Sequence, residues 1–123
     1  MQPKGRILVV EHDDLILRLL ERWLGEAGYT VLSETPQNLA AVGEKAEPEL
    51  IIIDVPTPRS AEKTVKAIKE VRASPILLLS ARFRRSTGSS ISVAQQLGVR
   101  NVLPKPFTRD ELLSAVSESI DGQ

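Results

Sequence analysis

A chain of 123 residues, 41% apolar and 26% charged, has the length and balance of one ordinary globular domain. It can bury roughly two-thirds of its unfolded surface, which excludes a disordered or membrane-embedded chain. Sixteen basic and sixteen acidic residues cancel, so no net field favours nucleic acid or an anionic membrane, and direct binding of either by this domain is not expected. The lack of cysteine removes disulfides and thiolate metal sites and suits a reducing compartment.

From the N-terminus, Ile7-Leu8-Val9-Val10 is an aliphatic and β-branched run that ends in the polar Glu11-His12-Asp13. It is too short for a signal-peptide core or a membrane span, so a cytoplasmic protein is expected, and its pattern is that of a strand buried on both faces. Leu15, Ile16, Leu19, Leu20, Trp23, Leu24 and Ala27 then recur at helical spacing, with Gly28 as the stop signal. Thr30 to Glu34 reads as an edge strand, and Thr35-Pro36 offers a cap and a first-turn proline to a second helix reaching about Ala46. Leu50-Ile51-Ile52-Ile53 and Ile76-Leu77-Leu78-Leu79 repeat the form of the first run and end in Asp54 and Ser80. Ala61 to Val71 suits a third helix between them. Ser86-Thr87-Gly88-Ser89-Ser90 is a polar loop expected to be mobile. Val93 to Leu97 forms the clear part of a fourth helix, and Asn101 to Leu103 a short fifth strand. Thr108, with Glu111 three residues on, is a capping box that opens a fifth helix. The alternation predicts one domain over residues 1–123 with an α/β fold: a doubly wound, five-stranded parallel sheet of order 2-1-3-4-5, covered by five helices, with Asp54 on the central strand.

In such sheets ligands sit beyond the carboxyl ends of the strands. Those ends carry Glu11-His12-Asp13, Asp54, Ser80 and Lys105-Pro106, so carboxylates, a hydroxyl and a lysine from four strands converge. Buried carboxylates are costly unless they answer to a cation or to each other. A plainer reading stands beside this for Asp13 and Asp14, which occupy the start of the first helix and suit capping. Trp23 and Phe107 fit the core better than a ligand platform. Arg82, Arg84 and Arg85 fit a solvated loop, with docking to a partner's carboxylates as the alternative.

The segments ILVVEHDDLILRLLERWLGEAGY, LIIID, PILLLSA and LPKPFT, with Asp54, Pro58, Ser80-Ala81, Lys105-Pro106 and Phe107 in order, resemble the receiver domains of bacterial two-component response regulators. The resemblance is to the chemotaxis-regulator type, flavodoxin-like in fold, and covers nearly the whole chain. It implies a non-enzymatic phosphoprotein of a phosphorelay. Asp54 would accept the phosphoryl group, Ser80 and Lys105 would each hold one of its oxygens, and a cis bond before Pro106 would orient the lysine. It also implies Mg2+ held by Glu11, Asp54, the side chain at position 12 and the backbone carbonyl of Pro56. The partners implied are a sensor histidine kinase or phosphotransfer protein, and an output domain or partner protein that reads the face of the fourth helix, fifth strand and fifth helix; a homodimer is allowed. The chemistry agrees, because a carboxylate attacks an anionic phosphoryl group only where cations offset the repulsion.

Departures from the family pattern bear on this. His12 stands where receivers carry a second acid that binds magnesium, and an imidazole nitrogen is a poor ligand for that hard ion. Pro56 has no N–H to give a phosphoryl oxygen. Glu62 replaces a glycine, Val102 replaces the aromatic switch residue of strand five, and the stretch from Ser80 to Gly98 is longer than in compact receivers. His12 could replace metal charge as an imidazolium, bind a softer ion such as zinc or manganese, or mark drift at an abandoned site. Two functions follow: a receiver with impaired magnesium-dependent phosphorylation, or a degenerate receiver serving as a phosphorylation-independent interaction or dimerisation module. A flavin or nucleotide binder is disfavoured by the lack of a glycine-rich loop after strand one.

Overall fold

Each apolar run becomes a parallel strand. The computed structural model describes residues 5–11, 13–33, 48–55, 58–71, 74–80 and 98–121. The expectations placed on His12, Glu34, residues 35–46, Pro56, residues 81–90 and residues 93–97 lie outside them. The described elements are β1 (Arg6–Val10), α1 (Asp14–Glu26), β2 (Thr30–Ser33), β3 (Leu50–Asp54), α2 (Pro58–Val71), β4 (Ile76–Ser80), β5 (Asn101–Pro104) and α3 (Arg109–Asp121). The five strands form one sheet of order β2-β1-β3-β4-β5, parallel at every pairing. This is the predicted order, with Asp54 closing the central strand.

Alternation along the strands sends side chains to two cores. Leu8, Val10, Ile51, Ile53, Ile76, Leu78 and Val102 pack on one face with Val65 and Ile68 of α2. Ile7, Val9, Leu50, Ile52, Leu77, Leu79 and Leu103 pack on the other with Leu20 and Leu24 of α1 and Leu112, Ala115 and Val116 of α3. Each fully buried Leu or Ile contributes about 1.5–3 kcal/mol of transfer free energy. A one-residue slip of any strand would exchange its two sets of side chains, so register is firmly specified. That register aligns Val10 with Ile53, Asp54 with Leu79, and Ser80 with Pro104, bringing the strand ends to one edge.

The helix ends follow local signals. α1 closes with the hydrogen-bond pair of a Schellman motif: Gly28 N–H donates to the Gly25 carbonyl at 3.1 Å and Tyr29 N–H to the Leu24 carbonyl at 3.0 Å. Gly28 has φ 103°, a conformation that favours glycine. The capping box is reciprocal, Thr108 N–H donating to Glu111 Oε1 at 2.8 Å and Glu111 N–H to Thr108 Oγ1 at 3.1 Å. α2 begins at Pro58, ahead of the Ala61 start expected from the sequence, because proline at a first helical position forgoes only an N–H that has no intrahelical partner. Among the described residues no helix is long and apolar enough to cross a membrane.

Asp13 caps α1: its Oδ1 accepts from Leu15 N–H at 2.9 Å and Ile16 N–H at 3.4 Å, and Asp14 adds negative charge to the first turn. Asp13→Ala should therefore cost about 1 kcal/mol in denaturant unfolding, while Asp13→Asn, which keeps the accepting oxygen, should stay near wild type. An equal loss in both would assign Asp13 a role that needs its charge.

Candidate functional site

Three strand ends place one cation between two carboxylates. Glu11 follows β1 directly; its side chain is 1% exposed and its Oε1 accepts the Asp13 N–H at 3.0 Å. Asp54 ends β3. Lys105 follows β5, where its N–H donates to the Ser80 carbonyl at 2.9 Å and so prolongs the β4–β5 ladder by one bond. Its side chain then reaches back across the sheet edge: Nζ lies 2.6 Å from Asp54 Oδ1 and 3.2 Å from Glu11 Oε2. The Lys105–Pro106 peptide is cis, as the resemblance implied.

Burial alone would pull the Lys105 ammonium below the ordinary lysine value. The hydrogen bond to Asp54, the charges of Glu11 and Asp54 and the hydrogen bond to Glu11 outweigh it and hold the group above that value. Lysine is thus a fixed positive charge at neutral pH. Two carboxylates against one ammonium leave the trio with one uncompensated negative charge, the condition under which a further cation is attracted.

Of the site residues expected from sequence, Glu11, Asp54 and Lys105 are in direct contact. Ser80 is fully buried at the end of β4 and joined to Lys105 through the main chain. Asp13 does not join the trio; its carboxylate faces the helix start. His12 and Pro56 lie outside the described residues. Val102 is buried at 3% exposure in the α2-side core, so an aliphatic side chain fills the position expected to hold an aromatic switch. The sequence reading missed the Lys105–Glu11 ion pair and the Asp13 N–H that steadies Glu11. The signal available for the second was a glutamate two residues before a helix cap.

The profile of the response regulator receiver domain matches residues 7–117. The chain belongs to the response-regulator receiver family. This receiver is 30% identical over 118 residues to the transcriptional regulatory protein PdtaR of Mycobacterium tuberculosis, covering 94% of this chain and 56% of that protein. It spans about half the length of the curated relatives it matches. The chemotaxis response regulator CheY4 of Vibrio cholerae superimposes with a TM-score of 0.76 at 25% identity, over 97% of this chain and 99% of that one. The receiver domain of sensor histidine kinase PA1611 from Pseudomonas aeruginosa does so with a TM-score of 0.70 at 25% identity, over 96% and 98% of the two chains. That structure has a magnesium ion coordinated in its active-site cleft. Receivers as a class are signalling modules that work with histidine kinases or phosphotransfer proteins and with output domains.

In this receiver, Lys105→Met removes the ammonium and keeps much of the stem, leaving two largely buried carboxylates without their cation. The expected loss is about 1–3 kcal/mol at neutral pH, below that of a fully buried pair because Asp54 and Lys105 keep some solvent contact. A lysine value raised on folding gives stability that is complete below the ordinary 10.5 and fades as pH climbs through the higher folded value. The wild-type advantage over Lys105→Met should accordingly be flat from neutral pH to the ordinary value and shrink above it. Equal stability of the two proteins at neutral pH would contradict the ion-pair argument.

Proposed function

We propose that this receiver accepts a phosphoryl group on Asp54 and that its magnesium-dependent phosphorylation is impaired by His12. The observation that carries the reading is the Lys105 ammonium 2.6 Å from Asp54 Oδ1 and 3.2 Å from Glu11 Oε2, a charge-compensated carboxylate at the ligand-binding edge of a doubly wound sheet. An Asp54 oxygen attacks phosphorus on a phosphohistidine or a small acyl phosphate. The new O–P bond forms as the P–N or P–O bond to the donor breaks, and the electron pair leaves with the donor's imidazole or carboxylate. Lys105 holds one phosphoryl oxygen, Ser80 another, and Lys105 offsets part of the charge that gathers in the transition state.

The metal follows from the donor set. Glu11 and Asp54 offer the hard carboxylate oxygens that magnesium requires, and both lie against one ammonium, so they fit the ion in kind. They are short in number: the side chain at position 12 is an imidazole, and among the described residues no three His, Cys, Asp or Glu side chains stand close enough to hold a metal. Glu11, Asp54 and the Pro56 carbonyl would hold a bound magnesium, which supplies charge neutralisation at the phosphoryl group. The partners in this reading are a histidine kinase or phosphotransfer protein as donor, and an output domain or second protein at the side of the sheet that carries β5 and α3. The second reading, a phosphorylation-independent interaction module, draws its support from Val102, since a buried valine has no ring to move between two positions.

Labelling by acetyl phosphate separates the two. The wild type should be labelled slowly, Asp54→Asn not at all, and His12→Asp faster in the presence of magnesium. No labelling of either Asp54-containing protein favours the interaction module; rapid magnesium-dependent labelling of the wild type would show a site undamaged by His12.

Magnesium binding provides a separate measure. His12→Asp restores an oxygen ligand and should tighten magnesium by about tenfold or more, the size seen even for changes one shell further out. Calorimetric titration of both proteins checks this, and equally tight binding would remove the case for an impaired metal site.

A further inference from the structure

At the amino ends of β4 and β5, the opposite edge of the sheet from Asp54, a pocket of about 240 Å3 opens beside the last turn of α2. Its wall is mostly polar and carries two cations, Lys69 of α2 and Arg100 ahead of β5. Hydrogen bonds fix the floor between them. The Ser74 hydroxyl donates to the Pro48 carbonyl at 2.6 Å, and the carbonyls of Pro75 and Ile76 accept from Ile51 N–H and Arg100 N–H, each at 2.9 Å. These bonds engage oxygens of the wall and anchor the base of Arg100 to β4. Lys69 is aimed as well: its Nζ lies 2.5 Å from the point that a Cβ on Gly98 would occupy. Gly98, at φ 72°, has both the backbone conformation and the bare Cα that let the ammonium settle over the chain just before β5.

Two positive charges on a fixed polar wall select the occupant by sign. A second cation would be repelled by both, and an apolar group would strip water from polar surface without replacing its hydrogen bonds. An oxyanion gains a point charge from Lys69 and planar N–H donors from Arg100, whose five exceed what one protein contact consumes. The volume lies below the roughly 300–1,000 Å3 of ordinary small-molecule pockets, which suits a compact ion. Glu70, next to Lys69 in sequence, is not part of the wall, and the adjoining sequence adds Arg72 on one side and the uncharged residues 91–97 on the other. The plainer role of Lys69 is to complement the carboxyl-terminal dipole of α2. Arg100 lies on another element and has no such role, yet the pocket brings the two together.

We propose that this pocket binds a compact phosphate-class oxyanion between Lys69 and Arg100. The site is independent of the Asp54 reading, and a bound ion would tie α2 to the start of β5. Both cations are exposed, so salt screens them and binding should be weak, about millimolar.

Inorganic phosphate is the probe, titrated into the isotopically labelled chain at constant ionic strength with chloride as the balancing ion, while amide shifts report the location. Saturable shifts at Gly98 and Arg100 are expected. Lys69→Met and Arg100→Met should each weaken binding by about fivefold or more. Lys69→Arg, which keeps the charge, and Lys66→Met, exposed on α2 outside the pocket, should stay within about twofold of wild type, circular dichroism showing every variant folded. A parallel titration with glycerol 3-phosphate identifies the source: equal or weaker affinity assigns the pocket to the free ion, tighter affinity to a phosphomonoester, and either supports the site. Shifts that grow without saturating, or that saturate only at Asp54 and Lys105, overturn it. Equal losses in Lys66→Met and Lys69→Met also overturn it, since they would mark a diffuse basic face of α2 in place of a pocket.

Discussion

The contact on which the rest of this receiver depends is the bridge from Lys105 to Asp54 and Glu11. Its three members are distant in sequence and come from the ends of three strands, two of them, β1 and β3, adjacent and the third at the far edge of the sheet. Two carboxylates brought this close with little solvent would repel and lose hydration; a shared ammonium offsets both. The bridge is therefore possible only after the sheet has formed in register, and the sheet edge is tolerable at neutral pH only because the bridge is there. Main-chain geometry supplies the aim. The Ser80 carbonyl holds the Lys105 N–H, so the lysine leaves β5 from a fixed point and its flexible stem has one gap to cross.

Burial on both faces of the sheet keeps that point fixed. All of β4 and nearly all of β1 and β3 are closed to solvent, which leaves the carboxyl ends of the strands as the place where polar side chains can gather without disrupting a core. The acidic run after β1 shows how finely this is divided. Glu11 turns into the site and is nearly closed to water, Asp13 spends its carboxylate on the first N–H groups of α1, and Asp14 lies within the helix. Residues of one chemical type, side by side in sequence, take different tasks because the chain passes from strand to helix between them.

Much of this was legible in the sequence, and the reasons differ by element. The aliphatic runs at Ile7, Leu50 and Ile76 and the Thr108–Glu111 box are local signals whose physics is complete within a few residues, so the strands, the place of Asp54 at a strand end and the start of α3 follow from local pattern, while the strand order rests on the alternation of strands and helices along the whole chain. Capping by Asp13 was equally local. The α2 boundary was not, because Pro58 is compatible with both a loop and a first helical position, and only packing chooses. The Lys105–Glu11 pair was out of reach, since it spans the chain and depends on which way one flexible side chain turns. An apolar space opens beside Trp23 and Phe107 and was illegible for the same reason: both rings read as core, and they do pack against it, yet their placement beside Lys105 leaves a space that no residue pattern announces.

Lys105 is the point at which these strands of reasoning meet. Its charge is spoken for twice over, by Asp54 and by Glu11, before any phosphoryl group arrives. A phosphoryl group on Asp54 would bring more negative charge than the carboxylate it replaces, and one ammonium cannot satisfy both the new oxygens and Glu11. On the proposed reading, in which the imidazole at position 12 weakens magnesium binding, more of the burden falls on where the lysine head moves. That movement is constrained by the stem, which lines the same apolar space as Ile16, Leu19, Trp23, Pro106 and Phe107. The apolar surroundings of Lys105 thus bear on the electrostatics of Asp54 as directly as the carboxylates do, because in a site short of cations the freedom of the one that remains sets how far charge can be redistributed.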